Sequence, residues 1–178
     1  MTEFSDDPAG NPQNDKTIPV SIPGWSIRPV SEDDVPTLAQ IEARVHVAPW
    51  TKENFESEMK KPFCNLLVMT DDETDEQIAG YITYWTLLED CHILNVATDL
   101  PYRGRGIAKL LVRKAIQDAL QKGSKRVILE VRKSNQAAIG LYQTLGFTIS
   151  HVRKAFYSNG EDAYSMSLDL TGSQEISF

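Results

Sequence analysis

The chain has 178 residues and a formal net charge of −7, from 18 Lys and Arg against 25 Asp and Glu, which is the size of one domain. A composition 41% hydrophobic and 24% charged, with 10 Gly and 9 Pro, excludes collagen-like, repeat or wholly disordered chains and leaves enough apolar residues for an ordinary core. No apolar run approaches the roughly 18 residues of a membrane span, and the polar, acidic N-terminus lacks the features of a secretory signal, so a cytoplasmic protein without membrane association is expected.

Residues 1–24 hold four of the nine prolines and the acids Glu3, Asp6, Asp7 and Asp15, with no helical or strand period. They read as a disordered arm, 171–178 as a short polar tail, and 25–170 as the folded domain. A strand is expected at 25–30. Ser31 followed by Asp34 resembles a capping arrangement before Val35, Leu38, Ile41 and Val45, which recur at helical spacing. After Pro49, Thr51 can cap a short second helix containing Phe55 and Met59. Strands are expected at 65–70, 77–88 and 91–98, the first two separated by an acidic turn at 71–76. A polar turn at 99–106 then leads into an amphipathic helix marked by Ile107, Leu110, Leu111, Ala115 and Leu120, which stops at Gly123. A buried strand at 126–132 follows. The next helix is capped by Ser134 or Asn135, carries Ala138, Leu141, Tyr142 and Leu145 on one side, and is closed by Gly146. Two last strands, 147–157 and 163–168, turn around Asn159 and Gly160. The resulting class is α/β, a mixed central sheet of about seven strands flanked by about four helices.

Charge is unevenly distributed. Residues 101–133 contain ten basic side chains and only Asp118 and Glu130 as acids, a net +8 that leaves −15 for the rest of the chain. A basic segment that opens at a glycine turn and a helix N-terminus suits a polyanionic phosphate, through free backbone N–H groups and the helix dipole. A solvated helix face is the alternative. Nucleic acid is not expected, because the acidic remainder would repel it and no recognition motif is visible. His46, His92 and His151 are scattered without ligand spacing, so no metal site is expected. Cys64 and Cys91 read as reduced thiols packed as small hydrophobes.

The basic turn reads Arg103-Gly104-Arg105-Gly106-Ile107-Ala108. Lys109 stands where a dinucleotide fingerprint needs its third glycine, and no Gly-Lys-Ser/Thr is present for a P-loop. What remains is an Arg-x-x-Gly-x-Ala turn from strand to helix. Together with Asn95-Val96-Ala97-Thr98-Asp99, Leu129-Glu130-Val131-Arg132 and the run from Asn135 through Leu141-Tyr142 to Leu145-Gly146-Phe147, it resembles the GNAT superfamily of N-acetyltransferases over residues 25–168. His46-Val47-Ala48-Pro49-Trp50, the Gly160-Glu161-Asp162-Ala163 run and Met166 make it similar to the RimI-type subfamily, which acetylates the N-terminal alanine of a small-subunit ribosomal protein. Ala108 in place of the usual glycine, Phe156 in place of a common tyrosine, and the N-terminal arm are departures. The lost hydroxyl at Phe156 bears on peptide specificity.

The resemblance implies that acetyl-CoA is the donor, held by Val96, Ala97, Thr98, Arg103, Gly104, Arg105, Gly106, Ile107, Ala108 and Asn135, with two strands splaying apart after a bulge to free the backbone around Val96 and Thr98. It implies that Glu130 is the general base and Tyr142 the general acid, and that His46, Pro49 and Trp50 face the acceptor. From the residues alone, Glu130 on an alternating strand could instead face the surface beside Arg126 and Arg132, Tyr142 could be a core tyrosine, and Asn135 only a helix cap. A phenol near pKa 10 protonating a thiolate near 8.5 is uphill by about 2 kcal/mol, so the site must lower the pKa of Tyr142 or use its hydroxyl chiefly as a hydrogen-bond donor.

An α-amine (pKa about 7.8) is neutral about 400 times more often near pH 7 than a lysine. That favours a peptide N-terminus as acceptor, and the acidic remainder favours a basic partner such as a ribosomal protein. Acetyl transfer to small amines such as polyamines or aminosugars, and a non-catalytic acyl-CoA or peptide-binding module, are the alternatives.

Overall fold

A computed structural model describes residues 22–172; the proposed arm and tail lie outside it, apart from residues 22–24 and 171–172. Seven strands and four α-helices follow one another as expected: β1 (Trp25–Pro29), α1 (Val35–Val45), α2 (Lys52–Met59), β2 (Cys64–Asp71), β3 (Ile78–Leu87), β4 (Asp90–Thr98), α3 (Ile107–Gln121), β5 (Arg126–Arg132), α4 (Gln136–Thr144), β6 (Thr148–Arg153) and β7 (Ala163–Asp169). They form one mixed sheet in the order β1-β2-β3-β4-β5-β7-β6. Within it β4 and β5 run parallel, joined by the α3 crossover, and the other neighbours are antiparallel.

Alternation along the central strands assigns the helices to faces. On β2, Leu66 and Val68 pack with Leu38 and Ile41 of α1 and Phe55 of α2, whereas Leu67 and Met69 join Leu111 and Ala115 of α3 and Ile139 of α4. The sheet is therefore covered on both sides, which is why β2 reads as an unbroken apolar run. Thr51 caps α2 by accepting from the Asn54 N–H. Ser31 and Asp34 form the expected capping box, around the 3-10 turn Glu32–Asp34 that leads into α1.

Two boundaries differ from expectation. The sixth strand ends at Arg153, not near residue 157, because Ala155 adopts a left-handed φ of 48° that breaks the ladder. The turn at Asn159 and Gly160 is present, with the Gly160 N–H donating to Tyr157 O at 2.8 Å, but it forms the tip of a longer connection. Both cysteines are free. Burial pushes each thiol up to about 12, with Glu58 adding to the effect at Cys64, which fits small hydrophobes and not nucleophiles.

Arg28 on β1 makes paired bonds to Asp34 at 2.7 and 3.0 Å and also reaches Asp75. Burial works to raise Asp34, but the Arg28 and Ser31 bonds outweigh it and hold the carboxyl below its ordinary value. A depressed folded pKa stabilises the fold above the unfolded value and loses that contribution as pH falls through the folded one. Arg28→Ala is expected to cost about 1–3 kcal/mol in urea unfolding at pH 7, by leaving a buried carboxylate without its partner, and less at pH 3.

Candidate active site

The site begins where β4 and β5 part. Their pairing covers only Asp90 to Ile93 against Arg126 to Leu129. The register between β3 and β4 then shifts, with Thr83 opposite Asn95 and Tyr84 opposite Ile93, so Leu94 is the extra residue of a bulge. Beyond it β4 stays with β3, whereas β5 continues on β7 as far as Arg132 opposite Ala163. The β5-facing edge of residues 95–98 therefore has no strand partner, and backbone donors and acceptors there are available to a bound group.

On one side of this wedge lies a cleft of about 480 Å³. Of the residues expected to hold the donor, Val96, Ala97, Thr98, Arg103, Gly104, Gly106, Ile107, Ala108 and Asn135 all line it, joined by Lys109 and Tyr142. Arg105 does not; its guanidinium lies over the Tyr102 ring, 5.5 Å from the centroid. Gly106 caps α3 with a φ of 82° that an L side chain adopts only with strain. The first hydrogen bond onto this cap is from Leu110 N–H to Gly106 O at 3.1 Å, so the preceding N–H groups have no helical acceptor and combine with Arg103 and Lys109 into an anion cradle. These features fit a pyrophosphate-bearing acyl carrier.

A second pocket, of about 220 Å³, lies across the wedge and is lined by His46, Trp50, Glu130 and Tyr142 among others. Five residues belong to both spaces: His46, Val96, Asn135, Ala138 and Tyr142. That shared wall is where a donor in the larger cleft meets an acceptor in the smaller. Pro49 is exposed and lines neither, whereas Trp50 packs edge-on against Phe55 with centroids 5.4 Å apart.

Glu130 is half-buried and faces this second pocket, its carboxylate accepting from Arg153 at 3.0 Å. Tyr142 packs on Phe147, and its hydroxyl makes no hydrogen bond among the described residues. Burial, with a smaller contribution from Tyr157, pushes its phenol up to about 12. Of the two alternatives for Tyr142, a lowered pKa runs against this direction, whereas a hydroxyl that chiefly donates a hydrogen bond is consistent with it. Asn135 caps α4 by accepting from the Ala138 N–H at 3.1 Å and also lines both spaces.

The sequence reading missed two residues of the second pocket. Tyr157 supplies there a hydroxyl-bearing ring next to Phe156. The Arg132 guanidinium lies 3.7 Å from the Tyr157 ring centroid and pairs with Glu161 at 2.8 Å, and Glu161 also accepts from the Ser134 hydroxyl at 2.5 Å. These bonds, Ser134 first and then Arg132, bring Glu161 down to about 2, so the connection stays fastened through the neutral pH range. Glu42 is the other: a fully buried carboxylate on the apolar stripe of α1. An acid in register with Leu38 and Val45 was the available signal.

The matching family model is the Acetyltransferase (GNAT) family, over residues 35–147. A relative in Bacillus subtilis is 36% identical over 143 residues, covering 79% of this chain and 93% of its own. The ribosomal protein bS18-alanine N-acetyltransferase of Salmonella typhimurium is 32% identical over 145 residues, covering 80% and 95%. The crystal structure of the ribosomal-protein-alanine N-acetyltransferase from Escherichia coli superposes with a TM-score of 0.75 at 29% identity, over 86% of this chain and 99% of that one. This chain belongs to the GNAT acetyltransferase family. It is an acyltransferase enzyme, and its sheet and helices are those of the GNAT fold.

Among the described residues no cluster of three or more His, Cys, Asp or Glu could hold a metal ion, and no helix is long and apolar enough to cross a membrane.

Proposed function

We propose that this enzyme transfers the acetyl group of acetyl-CoA to the N-terminal α-amine of a protein, the N-terminal alanine of a small-subunit ribosomal protein. The observation that carries this reading is the meeting of two spaces across the β4–β5 wedge, one built for a phosphate-bearing carrier and one lined by Glu130. The relatives named for acetylating the alanine of ribosomal protein bS18 supply the acceptor.

When bound, acetyl-CoA supplies an activated thioester; Arg103, Lys109 and the α3 N-terminus would hold its phosphates. The unpaired edge of β4 offers N–H groups to the carbonyl oxygen as negative charge develops there. Glu130 takes a proton from the acceptor nitrogen. Tyr142 donates a hydrogen bond toward the departing sulfur. The second pocket, of about 220 Å³, is where the acceptor's N-terminus would enter.

Purified protein with acetyl-CoA is expected to acetylate a basic peptide that begins with alanine at least about tenfold faster than the same peptide with a blocked N-terminus and an internal lysine, as measured by mass spectrometry. The lysine ammonium is neutral far less often than the α-amine. Equal rates on both, or turnover only on free polyamines or aminosugars, would refute the acceptor assignment.

A further inference from the structure

An acceptor α-ammonium must give up two protons to become an amide, one before its lone pair can attack and one as the N–C bond forms. Overall, ammonium and thioester give amide, thiol and one proton released to solvent. A single carboxylate such as Glu130 holds one proton at a time. We propose that Glu42 and His46 form a second proton acceptor in the acceptor pocket, taking the first of these two protons while Glu130 takes the second. This rests on the proposed α-amine reading.

Of the five residues shared by the two spaces, His46 and Tyr142 have ionisable side chains, and Tyr142 stays protonated as a donor. The Nε2 atom of His46 is buried, makes no hydrogen bond, and lies 3.4 Å from Glu42 Oε1. With Nε2 facing Glu42 at 3.4 Å, Nδ1 is the nitrogen left to receive a proton, and its arrival turns a loose contact into an ion pair. This is the arrangement of a carboxylate orienting a histidine base.

Glu42 is prepared for that task. Its carboxylate accepts from the Tyr81 hydroxyl, from Asn95 Nδ2 at 2.7 Å and from the Trp50 N–H at 2.8 Å. Burial outweighs these bonds and raises the Glu42 pKa above its ordinary value, with the nearby His46, the Trp50 N–H and Asn95 each offsetting part of the rise. The same bonds tie α1 to the residue just past the β4 bulge and to the loop carrying His46, so the pair is fixed relative to the wedge.

The other ionisable groups around the spaces that His46 lines are Tyr81 on β3, Glu130 and Arg132 on β5, Tyr142 on α4, Tyr157 after β6, and Arg103 and Lys109 at the start of α3. Arg132 is engaged with Glu161 and Arg103 and Lys109 belong to the phosphate side. Glu42 is therefore the acid that His46 contacts directly.

The test is kcat/KM for an alanine-starting basic peptide between pH 6.5 and 9.5. An α-amine near pKa 7.8 is about 5% neutral at pH 6.5 and almost wholly neutral at pH 9.5. His46→Gln is expected to lose about 20-fold more activity relative to the parent at pH 6.5 than at pH 9.5, with acetyl-CoA affinity unchanged by calorimetry. Glu42→Gln is expected to show the same pH-dependent deficit, and added imidazole to restore His46→Ala at low pH. A deficit of equal size at every pH, or none, with no imidazole rescue, would overturn the proposal. The parent rate on the peptide tests the acceptor reading separately.

Discussion

Tyr142→Phe is expected to lower kcat by about two to four orders of magnitude while acetyl-CoA affinity stays within about threefold, and Glu130→Gln to lower it by at least about two. Both positions border the junction of the two spaces, and neither substitution changes the volume of the walls. The phenylalanine keeps the packing on Phe147 at a centroid distance of 5.8 Å and removes only the hydroxyl. With the phenol near 12, full proton transfer to a thiolate near 8.5 is uphill by about 5 kcal/mol. The hydroxyl therefore works as a donor whose bond strengthens as charge gathers on sulfur, and the thiolate takes its proton from solvent as it leaves. The pH profile carries a consequence: a phenol raised by burial stays protonated through the working range, so Tyr142 imposes no loss of activity between pH 8 and 10. Glutamine at 130 retains an oxygen for the Arg153 bond of 3.0 Å but cannot accept a proton. Stopped-flow rates beside calorimetric binding check both variants. Parent-like turnover in either would remove that residue from the chemistry, whereas a matching loss of acetyl-CoA binding would make its role structural.

Periodicity made the elements of this fold legible, since apolar stripes and the turns between them mark each helix and strand along the chain. Strand order was not written there in the same way. The wedge depends on β5 leaving β4 for β7, a choice made by pairing across the 30 residues between Arg132 and Ala163 in the sequence, and local pattern carries little of that information. Resemblance, not periodicity, pointed to it. Among site residues, the glycine turn announced itself through charge and through the need for a left-handed cap. Glu130 and Tyr142 were ambiguous by spacing, because an alternating strand and a helical face leave cleft and core indistinguishable. Glu42 was passed over for a different reason. It sits in register with Leu38 and Val45, so the stripe was read for its apolar members and its acid ignored, although a carboxylate on a buried stripe must have partners to be tolerated. Tyr157 was missed because the sixth strand was extended through it. Once Ala155 turns the chain, Tyr157 swings onto Arg132 and into the acceptor pocket.

Gly80→Ala is expected to damage the donor side of the site although Gly80 does not itself line the cleft. Gly80 lies on β3 opposite Thr98, and a Cβ there would stand 2.5 Å from the Ala97 carbonyl oxygen, 3.1 Å from Ile107 Cγ2 and 3.3 Å from Thr98 Cα. A backbone oxygen cannot rotate aside as a side chain can, so a strand must move. On its other side β3 is held by β2 through Met69 and Val68, whereas residues 96–98 of β4 have no β5 partner, so β4 is the strand that gives. Its displacement carries Ala97 and Thr98 into the donor cleft and presses on Ile107, the first residue of α3, whose N-terminus forms the anion cradle. Overpacking of this kind costs about 1–3 kcal/mol, and for a chain of this size that lowers Tm by about 2–12 °C. Acetyl-CoA affinity is expected to fall at least about tenfold. Gly140→Ala supplies the contrast, because Gly140 lies within α4 with nothing within 4 Å of an added Cβ. There the better helix former is expected to leave binding unchanged and to raise stability by up to about 1 kcal/mol. Thermal melts with and without acetyl-CoA separate the two effects: the shift produced by the ligand should shrink in Gly80→Ala and persist in Gly140→Ala. An undiminished ligand shift in Gly80→Ala would mean that β4 does not yield toward the cleft, and that its free edge is held in place by something other than the β3 ladder.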